Sequence, residues 1–165
     1  PSSDTKVFVA DLLMKDGKES EAFKYLEQAY SLETDAIKKA NRAVKIGITL
    51  KNKGRYGQAR TYFENSLKLN PSNGRPHLLI ATMYATSANN CGDTTFNKQA
   101  VFWLAAQEAE KAGRLDPTLR SLSAQSVESY KARAPSTSQI FQEGKSGQTI
   151  NIGCWIGRSV KVPNV

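Results

Sequence analysis

The chain has 165 residues, of which 39% are hydrophobic and 8% aromatic, and a net charge of +8 from 23 Lys and Arg against 15 Asp and Glu. That length allows one compact domain or a short array of stacked units, and a core drawn mainly from Ala and Leu suits stacked helices better than a sheet sandwich. No apolar run approaches the roughly 20 residues of a membrane-crossing helix, no leader peptide is visible, and with one His and two Cys a metal centre or a nucleophilic triad is hard to assemble.

The positive excess favours anionic partners in general, but the lysines are spread along the chain, as on an ordinary solvated surface. Residues Pro1 to Lys6 read as the opening turn of a helix, without an initiator Met. The expectation is an excised or processed piece that lacks its native N-terminus.

In chain order, two stretches align. Ala22-x3-Leu26-x2-Ala29 matches Ala59-x3-Phe63-x2-Ser66, which runs on to Pro71, at a step of 37 residues. Upstream of these lies a second series: Val9-Ala10-x2-Leu13, Ile46-Gly47-x2-Leu50 and Ile80-Ala81-x2-Tyr84, with the small residues 37 and 34 apart. Each unit reads as two antiparallel helices joined by a short turn. The small residue of the first helix allows close approach, and the Ala of the second sits across that contact. One such pair cannot bury its apolar face alone, so neighbours must stack.

The turns support this division. Lys15-Asp16-Gly17-Lys18 and Asn52-Lys53-Gly54-Arg55 separate the helices of the first two pairs, with Gly54 a left-handed helix stop. Asn70-Pro71-Ser72-Asn73-Gly74 closes the second unit, and Pro76 suits a first helical turn. The third unit predicts a helix from about Pro76 to Ala88, a polar loop from Ser87 to Thr95, and a longer helix from Phe96 to Gly113. Asp116 then caps a terminal helix over Pro117 to Arg133. Its polar outer face of Arg120, Ser123, Gln125, Glu128 and Lys131 suits a capping role. Residues 136–148 are rich in Ser, Gly and Gln. Thr149 to Ile156 reads as a strand that turns through Gly157-Arg158-Ser159 into Val160-Lys161-Val162.

These anchors resemble the tetratricopeptide repeat (TPR), over roughly residues 4 to 117. The second unit fits best, through Ile46, Gly47, Leu50, Ala59, Phe63 and Pro71. The first has Thr34 in place of the closing Pro. In the third, Ala105, Ala109 and Ala112 before Pro117 are the expected second-helix anchors. None of the three has Trp at the opening of its first helix. The resemblance implies an all-α fold: a right-handed α-solenoid of about three TPR-like helix pairs plus a capping helix, with a short C-terminal β-hairpin tail. The expected divisions are 1–33, 34–73, 74–116 with an insertion, 117–134 for the cap, and 135–165 for the tail. The stretch Tyr84 to Asp93, then Ala100-Val-Phe-Trp-Leu-Ala-Ala, Leu115-Asp-Pro and Gly153-Cys-Trp-Ile, is similar to the C-terminal part of TPR proteins from Bacteroidota. It implies a periplasmic or outer-membrane-associated setting, with residue 165 near a natural C-terminus.

In this family the first helices line an inner groove. That places Asp4, Val7, Asp11, Met14, Asn41, Val44, Ile48, Lys51, Arg75, Leu78, Thr82 and Thr86 on the concave face, at spacings of three and four that keep one stripe per helix. The implied function is non-catalytic: a scaffold that holds a peptide or partner helix, with Asn41 and Lys51 gripping backbone or carboxylate, within a larger protein complex and without a cofactor. Members that clamp a C-terminal carboxylate use Lys, Asn and Arg. Here Asp11 and Lys45 stand where Asn is expected and Leu79 where Arg is, so only Arg75 fits, and Asp11 would repel a carboxylate. The alternative is a polyanion binder, for nucleic acid or acidic glycan. RNA readers of the helical-repeat kind usually present arginines and stacking aromatics along the groove, where this one offers Asp4, Asp11 and aliphatic side chains.

Cys91 and Cys154, in an oxidising compartment, could bridge the insertion to the tail, or be two separate buried thiols. His77 reads as a surface or packing residue, Phe102 and Trp103 as core, and Trp155 as an edge-strand ring available for partner contact or for packing on the cap.

Overall fold

A computed structural model describes residues 2–165; Pro1 lies outside the described residues. The fold is all-α with a small C-terminal hairpin. The helices are α1 (Ser3–Lys15), α2 (Glu19–Leu32), α3 (Ala36–Asn52), α4 (Tyr56–Leu69), α5 (Arg75–Cys91), α6 (Thr95–Leu115), α7 (Arg120–Arg133) and α8 (Thr137–Gln142), followed by β1 (Thr149–Ile152) and β2 (Arg158–Lys161). The chain divides into two compact units, the first running through Ser72 and the second from Asn73 to Val165.

In unit 1, α1 packs on α2, α3 packs on α4, and α2 meets α3. The close seams lie where the aligned small residues fall: Ala10, Ala22, Ala29 and Ala59 are fully buried. Gly47 shows why its slot needs hydrogen. A Cβ there would lie 2.4 Å from Phe63 Cε1, and Phe63 is itself fully buried. The ring fills the space that glycine leaves. Gly17 and Gly54 both adopt φ of +74°, a conformation that L side chains rarely take. Each stops its helix, with Lys18 N–H donating to Leu13 O and Arg55 N–H to Leu50 O.

In unit 2, α5 packs on α6, α6 on α7, and the hairpin on α6. Ala105, Ala109 and Ala112 are fully buried on α6. The excess length of this third helix pair differs from the expected polar loop. α5 continues to Cys91 and α6 begins at Thr95, so the turn is only Gly92 to Thr94. The reason is the apolar stripe of α5, which continues through Tyr84, Ser87, Ala88 and Cys91, all buried. Gly92 permits the tight turn, since a Cβ would lie 2.4 Å from Lys98 N. Thr94 then caps α6 by accepting the Asn97 N–H at 3.1 Å.

Asp116 accepts the N–H of Thr118, opening a 3-10 turn over Pro117–Leu119 before α7. It also accepts the Gly74 N–H at 3.0 Å. The Thr118 hydroxyl first, then the Gly74 amide, hold its carboxyl below the usual range. Ser123 was expected on the polar outer face of the cap. It is buried instead and donates to Ala109 O at 2.6 Å, fitting against Gly113, where a Cβ would clash with it.

The Ser- and Gly-rich stretch contains α8, which the sequence reading did not anticipate. Ser136 and Gln139 form a reciprocal capping box, and Gln139 donates to Gln99 on α6 at 2.9 Å. The strands are shorter than expected and pair antiparallel, with Ile150 opposite Val160. Ile150, Ile152, Ile156, Val160 and Val162 are buried. A lone hairpin is marginal in water, and docking on α6 removes that problem.

Candidate functional site

The residues expected to line a groove lie on α1 and α3 of unit 1 and on α5 of unit 2. On α1 and α3, Asp4, Met14 and Asn41 are exposed, while Val7, Asp11, Ile48 and Lys51 are half-buried. Val44 was expected to line the groove but is 7% exposed. Packed into the interior of unit 1, it offers little surface to a partner. On α5 of unit 2, Arg75, Thr82 and Thr86 are exposed and Leu78 is half-buried. The two threonines spend their hydroxyls on the helix, Thr82 donating to Leu78 O and Thr86 to Thr82 O.

The charges of α1 and α3 pair with each other. Arg42 Nη2 donates to Asp4 Oδ1 at 2.6 Å, and lies 3.5 Å from Glu33. Its Nε donates to Ser3 Oγ at 3.3 Å. Lys38 lies 3.8 Å from Asp4, and Lys45 pairs with Asp11 at 2.5 Å. Where both partners are exposed, as in Lys38–Asp4 and Lys45–Asp11, such pairs add little stability. Their consequence is electrostatic: Asp4 and Asp11 neutralise cations that would otherwise face a ligand. Sequence reasoning singled out the two aspartates but missed Arg42 and Lys38. Their spacing to Asp4 spans two helices, so only the stacking of α1 beside α3 reveals it.

His77 was expected to be a surface or packing residue, and it is buried at the opening of α5 with no carboxylate near it in sequence. The fold brings Glu108 from α6 to it, so that His77 Nδ1 donates to Glu108 Oε1 at 2.7 Å. Lys111 donates to the other oxygen at 3.2 Å. Burial pushes the Glu108 carboxyl up, but the His77 hydrogen bond and the Lys111 ammonium outweigh it and hold the group below the usual carboxylate range. The trio ties the start of α5 to α6.

Cys91 and Cys154 form a disulfide, with Cα atoms 5.4 Å apart across a separation of 63 residues. Cys91 is buried at the end of α5, and Cys154 is exposed. Trp155 was expected on an edge strand, but β1 ends at Ile152 and the ring lies in the turn between the strands. It stacks on Tyr84 at 5.4 Å and its indole N–H donates to Ser87 Oγ at 2.9 Å. The ring therefore belongs to the internal packing of unit 2. Phe102 is buried between Tyr130 and the Arg133 guanidinium, and Trp103 meets Phe96 edge to face.

Residues 41–73 match a family model described as tetratricopeptide repeat. That span covers most of α3, all of α4 and the closing Pro71. No curated protein matches the chain. Repeats of this family are in general non-catalytic modules for protein–protein interaction. Among the described residues no helix is long and apolar enough to cross a membrane.

Proposed function

We propose, from the repeat at residues 41–73, that this chain is a non-catalytic adaptor whose α1 and α3 face in unit 1 holds an uncharged stretch of a partner polypeptide. The carrying observation is the internal pairing of that face. Arg42 and Lys38 are spent on Asp4, and Lys45 on Asp11. What stays available is Asn41, Met14 and the half-buried Val7, Ile48 and Lys51. Those groups suit a peptide backbone with apolar side chains better than a phosphate backbone or a C-terminal carboxylate. On α5 the stripe of Arg75, Leu78, Thr82 and Thr86 offers unit 2 a comparable face.

The setting we propose is an envelope compartment outside the reducing cytosol, within a larger protein assembly. Its support is the Cys91–Cys154 bond, one half of which is exposed. Such a bond persists where the surroundings are oxidising.

Selection of peptides from a displayed random library on the intact chain tests the binding mode. Bound peptides should perturb the NMR signals of Val7, Asn41, Ile48 and Lys51, and Asn41→Ala should weaken binding about tenfold, equivalent to one backbone hydrogen bond in a dry site. Perturbations confined to other surfaces would reject it. So would tight binding of a mixed oligonucleotide with a steep salt slope, the mark of a polyanion reader.

A further inference from the structure

Unit 1 also holds a cleft between α2 and α4, formed entirely by residues 23–62 and sharing none of the groove residues named above. Its volume is about 370 Å³, at the small end of clefts that take small ligands. Leu50, 1% exposed, forms an apolar floor. Phe23 and Glu27 stand one turn apart on the α2 wall. Arg55, Gln58 and Tyr62 border the α4 wall, at the spacings of three and four that keep one helix face. Phe23 and Tyr62 are half-buried, while Glu27, Arg55 and Gln58 are exposed.

The charges of this cleft are divided between its ends. At one end the Lys53 ammonium lies over the Phe23 ring at 5.8 Å, and Arg55 follows Lys53 in the turn before α4. At the other end Tyr62 meets Tyr30 edge to face at 5.7 Å. Burial first, then the Glu27 carboxylate, then Tyr30 hold the Tyr62 phenol above its usual range, so Glu27 acts at this end. Among the described residues neither Glu27 nor Arg55 is in a salt bridge. An unspent carboxylate and an unspent guanidinium thus border one apolar floor.

A lone cation entering the cleft would be repelled by Arg55 and Lys53, and a lone anion by Glu27. A molecule that carries both charges, positive toward Glu27 and negative toward Arg55, meets neither penalty. A guanidinium grips a carboxylate in bidentate fashion, and an ammonium gains from an aromatic ring beside its counter-ion. The charged ends stand about one helical turn apart, roughly 5.4 Å, and two residues of extended chain span about 7 Å. We propose that the cleft binds a zwitterion of dipeptide size. Its free amino terminus lies at Glu27 and Tyr62, its free carboxylate at Arg55 and Gln58, and an apolar side chain covers Leu50. This site goes beyond the groove reading, and the two stand or fall separately.

The probe is the dipeptide alanyl-leucine, titrated onto the intact chain and followed by amide NMR shifts. Shifts should centre on Phe23, Glu27, Gln58 and Tyr62, with a dissociation constant on the order of 1 mM for so small a ligand. Glu27→Gln and Arg55→Gln should each weaken binding about tenfold, the loss of one hydrogen bond between charged groups. Both side chains are exposed, and circular dichroism should confirm that the variants fold. Two blocked probes assign the ends. N-acetyl-alanyl-leucine should bind about tenfold more weakly than the free dipeptide and be indifferent to Glu27→Gln. Alanyl-leucinamide should be weakened as much and be indifferent to Arg55→Gln. Free leucine, with its charges too close to reach both ends, should bind more weakly than the dipeptide, and Asn41→Ala should change none of these results. The proposal is overturned if the dipeptide leaves those four signals unmoved, if either variant binds it as tightly as wild type, or if a blocked probe or free leucine matches it.

Discussion

The two units solve one packing problem by different means. In unit 1 the helices of 13 to 17 residues close on each other through a glycine and a ring, Gly47 against Phe63. In unit 2 the first helix has 17 residues and the second 21. There Ala81 replaces the glycine, and a tail that is covalently bonded at Cys91 and stacked at Tyr84 adds what the seam alone does not supply. A repeat with neighbours can rely on shape complementarity, because stacking buries its open face. In unit 2 the chain itself covers α6, with α7 and the hairpin packed on it and α8 tied to it through Gln139.

The sharpest way to break unit 1 is Phe63→Ala. The ring is fully buried and fills the Gly47 slot, so its loss should cost about 3–5 kcal/mol. Hydrogen exchange should rise most in α3 and α4. In unit 2 the matching lesion is Cys91→Ala with Cys154→Ala. A closed loop of 63 residues limits the unfolded chain, and removing it should cost about 2–4 kcal/mol. Thermal melts of the reduced wild type should show the same loss, while reductant should leave the exchange rates of α1 to α4 unchanged. If reductant acts equally on both units, the contrast between seam and staple fails.

The regular unit was legible because its determinants are local. Gly47, Leu50, Ala59 and Phe63 stand within one repeat, at spacings that a helix face imposes. The tail was less so. The step from Cys91 to Cys154 suggested a bridge, but a bonded pair and two separate thiols look alike in sequence. α8 hid in a stretch rich in Ser and Gly, and its signal was the Ser136 and Gln139 box. The candidate groove was placed by repeat register, which is why exposed Asn41 and buried Val44 were given the same role. Register fixes a face to within about one residue, whereas exposure depends on which neighbour stacks there. Arg42, Lys38 and Glu108 were missed for another reason: each acts on a residue more than 30 positions away.

Smaller lesions sharpen the comparison. Gly47→Ala should cost about 1–3 kcal/mol, since its methyl group must displace a buried ring. The reciprocal Ala81→Gly in unit 2 should cost about 1 kcal/mol through helix propensity. Glu108 gives unit 2 a pH dependence. Its folded-state pKa lies below the ordinary value. Its contribution is therefore fully present above the unfolded carboxylate pKa, and is lost as pH falls through the lower folded pKa. Urea midpoints measured from pH 7 down to pH 3 should fall less steeply in Glu108→Gln than in wild type, by on the order of 1 kcal/mol at the acid end.

The smallest effect should have the opposite sign. Ser66 is fully buried on α4, and among the described residues its Oγ has no hydrogen-bond partner. The corresponding position in the first repeat is Ala29, also fully buried. The seam thus accommodates a methyl group at one place and an unsatisfied hydroxyl at the other. An unpaired buried hydroxyl carries its desolvation cost without return. Ser66→Ala removes that cost, leaves a void smaller than a water molecule and improves helix propensity. It should stabilise unit 1 by about 0.5–1 kcal/mol, read as a higher urea midpoint at unchanged slope. Ala29→Ser should destabilise by a similar amount. If Ser66→Ala were destabilising, the hydroxyl would be satisfied in solution, and the seam of the second repeat would be wetter than that of the first.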